Sequence, residues 1–234
     1  MISLGISIPM LARPPGGGGG GAPSIVTSGL VMHLDAGNAS SYPGTGTAWT
    51  DLSGNGNNGT LTNGPTYSAA DGGQIVFDGT NDSVRCGNDA SVQLSVYTLE
   101  VWFKANNTNS GFRGLIVKEF AYGLYLLSNV IGRYDTPSAN FASTGVNAGD
   151  NTWRQVVLTT SSAGGSNQII YINGVSVLTD SGSVSTQTSQ VTVGSADAKQ
   201  FLAGSVAISR IYNRALSAAE VSQNFDANKA RFGL

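Results

Sequence analysis

The sequence predicts an all-β protein: a two-sheet antiparallel sandwich with one short C-terminal helix and an extended N-terminal arm. Three observations carry this. Short apolar runs recur along the chain, several with strict alternation of apolar and polar residues, the period of a half-buried strand. Glycine is abundant, 32 of 234 residues, and crowds with Ser, Thr and Asn into the gaps between the runs, as tight turns require. Charged residues make up only 11%, against a typical ~25%.

The arm spans residues 1–28. It has an apolar tip, MISLGISIPMLA, then the spacer RPPGGGGGG (Arg13–Gly21), then APSIVTS. Fixing six glycines costs on the order of 6–12 kcal/mol of backbone entropy, and glycine has no side chain to offset it. An ordered arm therefore needs a partner. Ile2, Leu4, Ile6, Ile8, Met10 and Leu11 are the expected docking residues. Fully extended, 28 residues reach roughly 90–100 Å. The tip has no positive n-region and no A-x-A site follows it, so no cleaved signal peptide is expected.

From Gly29 the domain reads to residue 234. GLVMHLDA is a first strand, and GTGTAWTDLSGNGNNGTLTNGPTY is a long loop rich in residues that tolerate positive φ. QIVFDG and DSVRCG flank a turn, where Asp78 and Asp82 are placed to bond the turn backbone. In SVYTLEVWFKA, Leu99, Val101 and Phe103 share one face and Thr98, Glu100 and Trp102 the other. RGLIVKE, YGLYLLS, VIGRYD and TWRQVVLTTS follow. Asn173-Gly174 splits NQIIYINGVSVLTD into a hairpin. QVTVGS and AGSVAISRIYN complete the strands. The period then changes. Ser217 and Glu220 stand at capping-box spacing, and Ala218, Val221 and Phe225 form a helical stripe, with Gly233 just past the end.

IVFDGTNDSV, YTLEVWFKA, TWRQVVLTTS, IIYINGV and LAGSVAISRIYNRALSAAEV resemble, in order and spacing, the concanavalin A-like/laminin G-like jelly roll. The match runs from about Gly29 to Phe232. LDAGNASSYPGTGTAWTDLSGNGNNGTL and the glycine-rich leader resemble the version of this domain found in tailed-phage structural proteins. The resemblance implies a sandwich that binds glycans in many members and carries calcium in some. Calcium-dependent lectins of this kind use acidic residues at positions matched here by Glu119 and Asp197, with Gln200 close by. Those lectins cluster several acids in the second loop, whereas GSADAKQFLAG offers only Asp197.

The chemistry of an enzyme is sparse. A glycosidase needs two carboxylates across the scissile bond, and the chain has three Glu: Glu100, Glu119 and Glu220. None pairs with another in sequence, although an Asp pair assembled by folding stays open. His33 is the sole histidine and reads as a satisfied strand histidine. Cys86 is the sole cysteine and reads as a small buried hydrophobe, so no intrachain disulfide forms. Trp102 and Trp153 lie in apolar strands and read as core. With a net charge of −2 and no basic block, nucleic-acid binding is set aside, and no apolar run is long enough to span a membrane.

Glycan binding calls for exposed aromatics beside planar polar groups. Tyr122, Arg133, Tyr134 and Asp135 are candidates, the plainer reading of each being an ordinary surface or core residue. The sequence as a whole points to a virion structural protein: a phage fibre, decoration or adhesin subunit. Its arm docks into other virion proteins or copies of itself, and its sandwich faces a host-surface glycan. A stand-alone carbohydrate-binding lectin module is the alternative, and a hydrolase the third reading.

Overall fold

The structure is a computed structural model. It describes residues 23–106, 111–135, 140–162, 167–182, 184–185, 187–196 and 199–234. The docking residues Ile2, Leu4, Ile6, Ile8, Met10 and Leu11 lie outside these, as does Asp197.

In chain order the strands are β1 (Leu30–Asp35), β2 (Ala48–Trp49), β3 (Gly59–Thr62), β4 (Thr66–Ser68), β5 (Gln74–Asp78), β6 (Ser83–Arg85), β7 (Tyr97–Ala105) and β8 (Phe112–Lys118). They continue as β9 (Tyr122–Leu127), β10 (Val130–Asp135), β11 (Asn140–Asn147), β12 (Arg154–Thr160), β13 (Gln168–Ile172), β14 (Val175–Asp180), β15 (Val191–Val193) and β16 (Ala203–Tyr212). One helix, α1 (Ala218–Asn228), follows. It is too short to cross a membrane, as is every described helix.

The strands form two antiparallel sheets. The first has the order β14-β13-β12-β7-β16-β5-β4, with β1 also paired to β16; the second runs β11-β10-β9-β8-β15-β6-β3-β2. The alternation of β7 is realised as the sequence predicts: Leu99, Val101 and Phe103 point into the core between the sheets. They meet Ile116, Leu124, Leu126, Val191 and Val193 of the second sheet, together with Phe77 and Cys86. Each such side chain contributes about 1.5–3 kcal/mol on burial. Burial pushes the Cys86 thiol up to about 12, so it is inert. Asn173 and Gly174 both adopt positive φ in the β13–β14 turn, as a two-residue hairpin requires.

The outer face of the first sheet is closed. Helix α1 begins with a complete capping box, Ser217 with Glu220, and Arg214 pairs with Glu220 at 2.6 Å. Val221 and Asn224 are the residues it buries; Ala218, read from the stripe, is exposed. Trp102 stacks on Phe232 at 4.5 Å and on Phe225 at 5.8 Å, and Trp153 joins this cluster. Both tryptophans are therefore core.

Beneath the helix Glu100 is wholly buried. Its Oε1 accepts from Arg210 at 3.0 Å, Gln155 at 2.9 Å and Trp102 at 3.1 Å. Its Oε2 accepts from Asn224 at 2.8 Å. Glu100 is thus the centre of a polar network. The network reaches the start of the domain: Val26 N–H donates to Asn224 Oδ1 at 2.8 Å, and the Tyr212 hydroxyl donates to the Val26 carbonyl at 3.1 Å. Gln223 donates to Ser24 O and Arg214 to Ser28 O. Residues 24–28, read from the sequence as the end of the arm, are held against the sandwich in this way.

His33, on β1 opposite Arg210 of β16, differs from its sequence reading. Its Nε2 is buried without a hydrogen-bond partner among the described residues. Burial, helped by the Arg210 charge, lowers its pKa to about 4.

Candidate functional site

The outer face of the second sheet carries no covering helix among the described residues. Strand parity decides what it presents. On β9, Tyr122, Leu124 and Leu126 face the core, so Tyr125 points outward. On β10, Ile131 faces the core and Tyr134 points outward. Phe112 of β8 and Phe141 of β11 complete an aromatic cluster. Phe112 makes edge contacts with Tyr134 at 5.1 Å, Phe141 at 5.6 Å and Tyr125 at 6.1 Å. The mutual edge-to-face geometry holds these rings in fixed orientations.

Two glycines make this arrangement fit. A Cβ on Gly132 would come within 2.4 Å of the Phe141 ring and the Ala142 carbonyl. A Cβ on Gly114 would come within 2.3 Å of the Ser195 backbone. Its absence lets the chain after β15 settle onto β8, where Gly114 N–H donates to Gln200 O at 3.0 Å.

Two adjoining hollows result. The aromatic one, about 240 Å³, is lined by Phe112, Tyr125, Tyr134, Phe120, Gln200 and Glu119. The polar one, about 250 Å³, is lined by Ser83, Arg85, Gln190, Thr192, Ser195 and again Glu119. Glu119 therefore stands between them. Phe120 is 57% exposed and holds a left-handed backbone, φ 57°. Such a conformation is costly for a bulky residue and concentrates at functional sites. Behind the hollows, Lys118 is buried, and its ammonium donates to Ser189 O at 2.6 Å and to Asn88. Burial lowers its pKa. Ser189 in turn donates to the Glu119 carbonyl, so Lys118 anchors the rim.

The sequence candidates divide. Glu119 and Tyr134 both line the site. Asp197 lies outside the described residues, but its neighbours Ala196 and Gln200 line the hollow beside Glu119. Tyr122 is corrected: it faces the core, donates to Val92 O at 2.7 Å and packs on Tyr97 at 4.6 Å. Burial raises the pKa of its hydroxyl. Arg133 is corrected too. It is buried and pairs with Asp180 of β14 at 2.5 Å, bridging the two sheets rather than facing a ligand. The backbone of Asp135 pairs with Asn140, while its side chain lies outside the described residues. The residues missed from sequence are Phe112, Phe120, Tyr125 and Arg85.

Two antiparallel sheets packed face to face, one outer face closed and the other hollowed, form a jelly-roll sandwich. The chain belongs to the concanavalin A-like lectin/glucanases superfamily, whose family model matches residues 78–222. No curated protein sequence matches the chain. Among solved structures, it resembles the binding domain of Paraclostridial Mosquitocidal Protein 1, with TM-score 0.65 and 18% identity, over 84% of this chain and 52% of that one. It also resembles domain 4 of AbnA, an extracellular arabinanase from Geobacillus stearothermophilus solved with arabinotriose. There the TM-score is 0.63 and the identity 19%, over 83% of this chain and 97% of that domain. A third is the Trypanosoma rangeli sialidase solved with sialic acid: TM-score 0.67, 16% identity, covering 94% of this chain and 36% of the enzyme. The chain thus spans about half of the toxin domain and about a third of the sialidase. At these identities the likeness is one of fold.

Proposed function

We propose that this chain is a glycan-binding module, with its ligand in the twin hollows on the outer face of the second sheet. The observation that carries the reading is the aromatic hollow itself: Phe112, Tyr125, Tyr134 and the exposed, left-handed Phe120 around Glu119. Aromatic faces take the apolar face of a sugar ring, and the planar Glu119 and Gln200 groups take its hydroxyls. The fold likeness to an arabinanase domain solved with arabinotriose is in keeping with it.

The role is binding rather than hydrolysis. Glu119 is the one carboxylate among the described residues lining these hollows, while Glu100 is committed to Arg210 and Glu220 to the helix cap. Two opposed carboxylates are needed for glycoside cleavage.

Calcium belongs to the proposal. A hard cation wants six to eight oxygens. Glu119 and the neutral oxygens of Gln200 and Gln190 supply that donor type. Bound there, the ion would supply a Lewis-acid anchor for vicinal hydroxyls.

In its finer form the module is a virion structural protein, a phage fibre or decoration subunit, anchored by residues 1–22 to other virion proteins or to copies of itself. The placing of the arm root and the hollows on opposite faces supports this. The stand-alone lectin is the second reading, favoured by the near-complete coverage of the arabinanase domain.

The test is a glycan array probed with the full chain and with Tyr134→Ala. Binding by the full chain that the variant loses supports the reading. An array blank for both chains overturns it. Light scattering of the full chain against a chain starting at Pro23 separates an assembling arm from a simple leader.

A further inference from the structure

Arg85 sits in the middle strands of the second sheet, on β6, paired across to Thr192 of β15 and Thr60 of β3. Its neighbour Val84 is in the core, so Arg85 faces outward with the two threonines beside it. Most described arginines are committed: Arg154, Arg210, Arg214 and Arg231 have carboxylate partners, Arg133 bridges the sheets, and Arg113 bonds Asn129. Arg85 has neither an ion pair nor a side-chain hydrogen bond among the described residues. It is exposed, and it lines the polar hollow.

The rest of that hollow is rich in hydrogen-bonding groups. Ser83, Gln190, Thr192 and Ser195 line it with Arg85. Ser195 is 1% exposed, and its hydroxyl has no partner among the described residues. A buried unmatched hydroxyl is unfavourable, while the exposed guanidinium is hydrated and free to exchange that water for a ligand acceptor. The guanidinium is a planar fork of donors that fits a carboxylate through two parallel hydrogen bonds. Glu119 also lines this hollow, so the ligand's carboxylate is assigned to Arg85 and its hydroxyl or amide donors to Glu119.

We propose that the polar hollow is a subsite for a carboxylated sugar residue, a uronic or sialic type of acid, held by Arg85, with the adjoining ring of the glycan stacked in the aromatic hollow. The inference rests on the glycan-binding reading and names the ligand class for it. Each hollow alone falls below the ~300–1,000 Å³ of a drug-sized pocket, and the two together reach that range. A ligand of two or more rings, acidic at one end, suits the pair.

The experiment uses the full chain on an array of matched neutral, carboxylated and sulfated oligosaccharides. It then uses calorimetry on each carboxylated hit against its methyl ester. Both are run with EDTA present, so that a metal cannot supply the preference. The expected result is carboxylated hits that bind about tenfold or more tightly than their esters, a difference typical of one charge-assisted pair. Arg85→Gln should abolish that preference, weakening the acid far more than the ester. Added salt should shrink it. Hits that are neutral or sulfated only, or an acid and ester that bind alike, overturn the acidic subsite while the glycan reading stands. An array without any hit in EDTA overturns the acidic subsite, and one still blank with calcium restored overturns both. Arg85 is exposed, so the variant folds, and circular dichroism verifies this.

Discussion

The two sheets share one core and treat their outer faces in opposite ways. On the first sheet, the outward residues of β7 and β16 (Glu100, Trp102, Arg210 and Tyr212) are roofed by α1, the 229–232 turn and residues 24–28. Each of these four bonds a neighbour within the fold. On the second sheet no helix covers the outer face among the described residues: Tyr134 and Arg85 point outward and Tyr125 lies buried beside them, around two hollows. Buried polar groups are tolerated where they find partners. Surface aromatics and uncommitted charge gathered in one place are the usual mark of a recognition site. One face is committed to the fold, and the other is the face on which a ligand is proposed.

This contrast breaks most easily at Glu100. Glu100→Ala leaves Arg210 buried without its carboxylate and should destabilise by about 3–5 kcal/mol, read as a lowered urea midpoint. Any ligand affinity should be unchanged at temperatures where the variant is folded. If affinity falls while the variant is still fully folded, the two faces are not separate.

Next in size is a pH effect on the same closed face. His33 has a folded pKa of about 4 against 6.5 for an ordinary histidine. The unfolded chain therefore binds the proton first. Stability should fall as pH drops from 6.5 to 4 and level off below, by at most about 3 kcal/mol. His33→Gln should flatten that part of the curve in melts run across the range, apart from the carboxylates that titrate near its lower end.

The open face should behave in the opposite way. Tyr134→Ala should cost about tenfold in glycan affinity, equivalent to about 1.4 kcal/mol, while Phe120→Ala should weaken binding with no measurable change in thermal midpoint. A Phe120 variant that unfolds the protein would place that residue in the fold instead. The smallest effect is at the helix cap. Ser217→Ala removes the bond to Glu220 N–H and should cost about 1 kcal/mol, visible as a lower midpoint and faster hydrogen exchange in the first turn of α1.

The fold is largely legible from the chain because its cues are local. The period of β7, the Asn173-Gly174 turn and the Ser217–Glu220 cap each lie within a dozen residues. The site is only half legible. Tyr134 and Glu119 emerge, but Tyr122 misleads because YGLYLL is apolar at both parities, so alternation does not say which tyrosine faces out. Arg133 misleads although Ile131, two residues earlier, shares its inward side; its partner Asp180 is remote in sequence. Arg85 shows the limit most clearly. Its outward parity follows from Val84. That it lacks a partner depends on β3 and β15, which only the folded sheet brings alongside.

The bond from Val26 to Asn224 has a further consequence. It pins the leading segment to the roofed side, where Phe232 near the other end of the chain also rests. Residues 24–28 thus lie against one outer face, and the hollows open on the other, with the full thickness of the sandwich between them. A force applied at residues 24–28 would enter the fold at the Glu100 network rather than at the hollows.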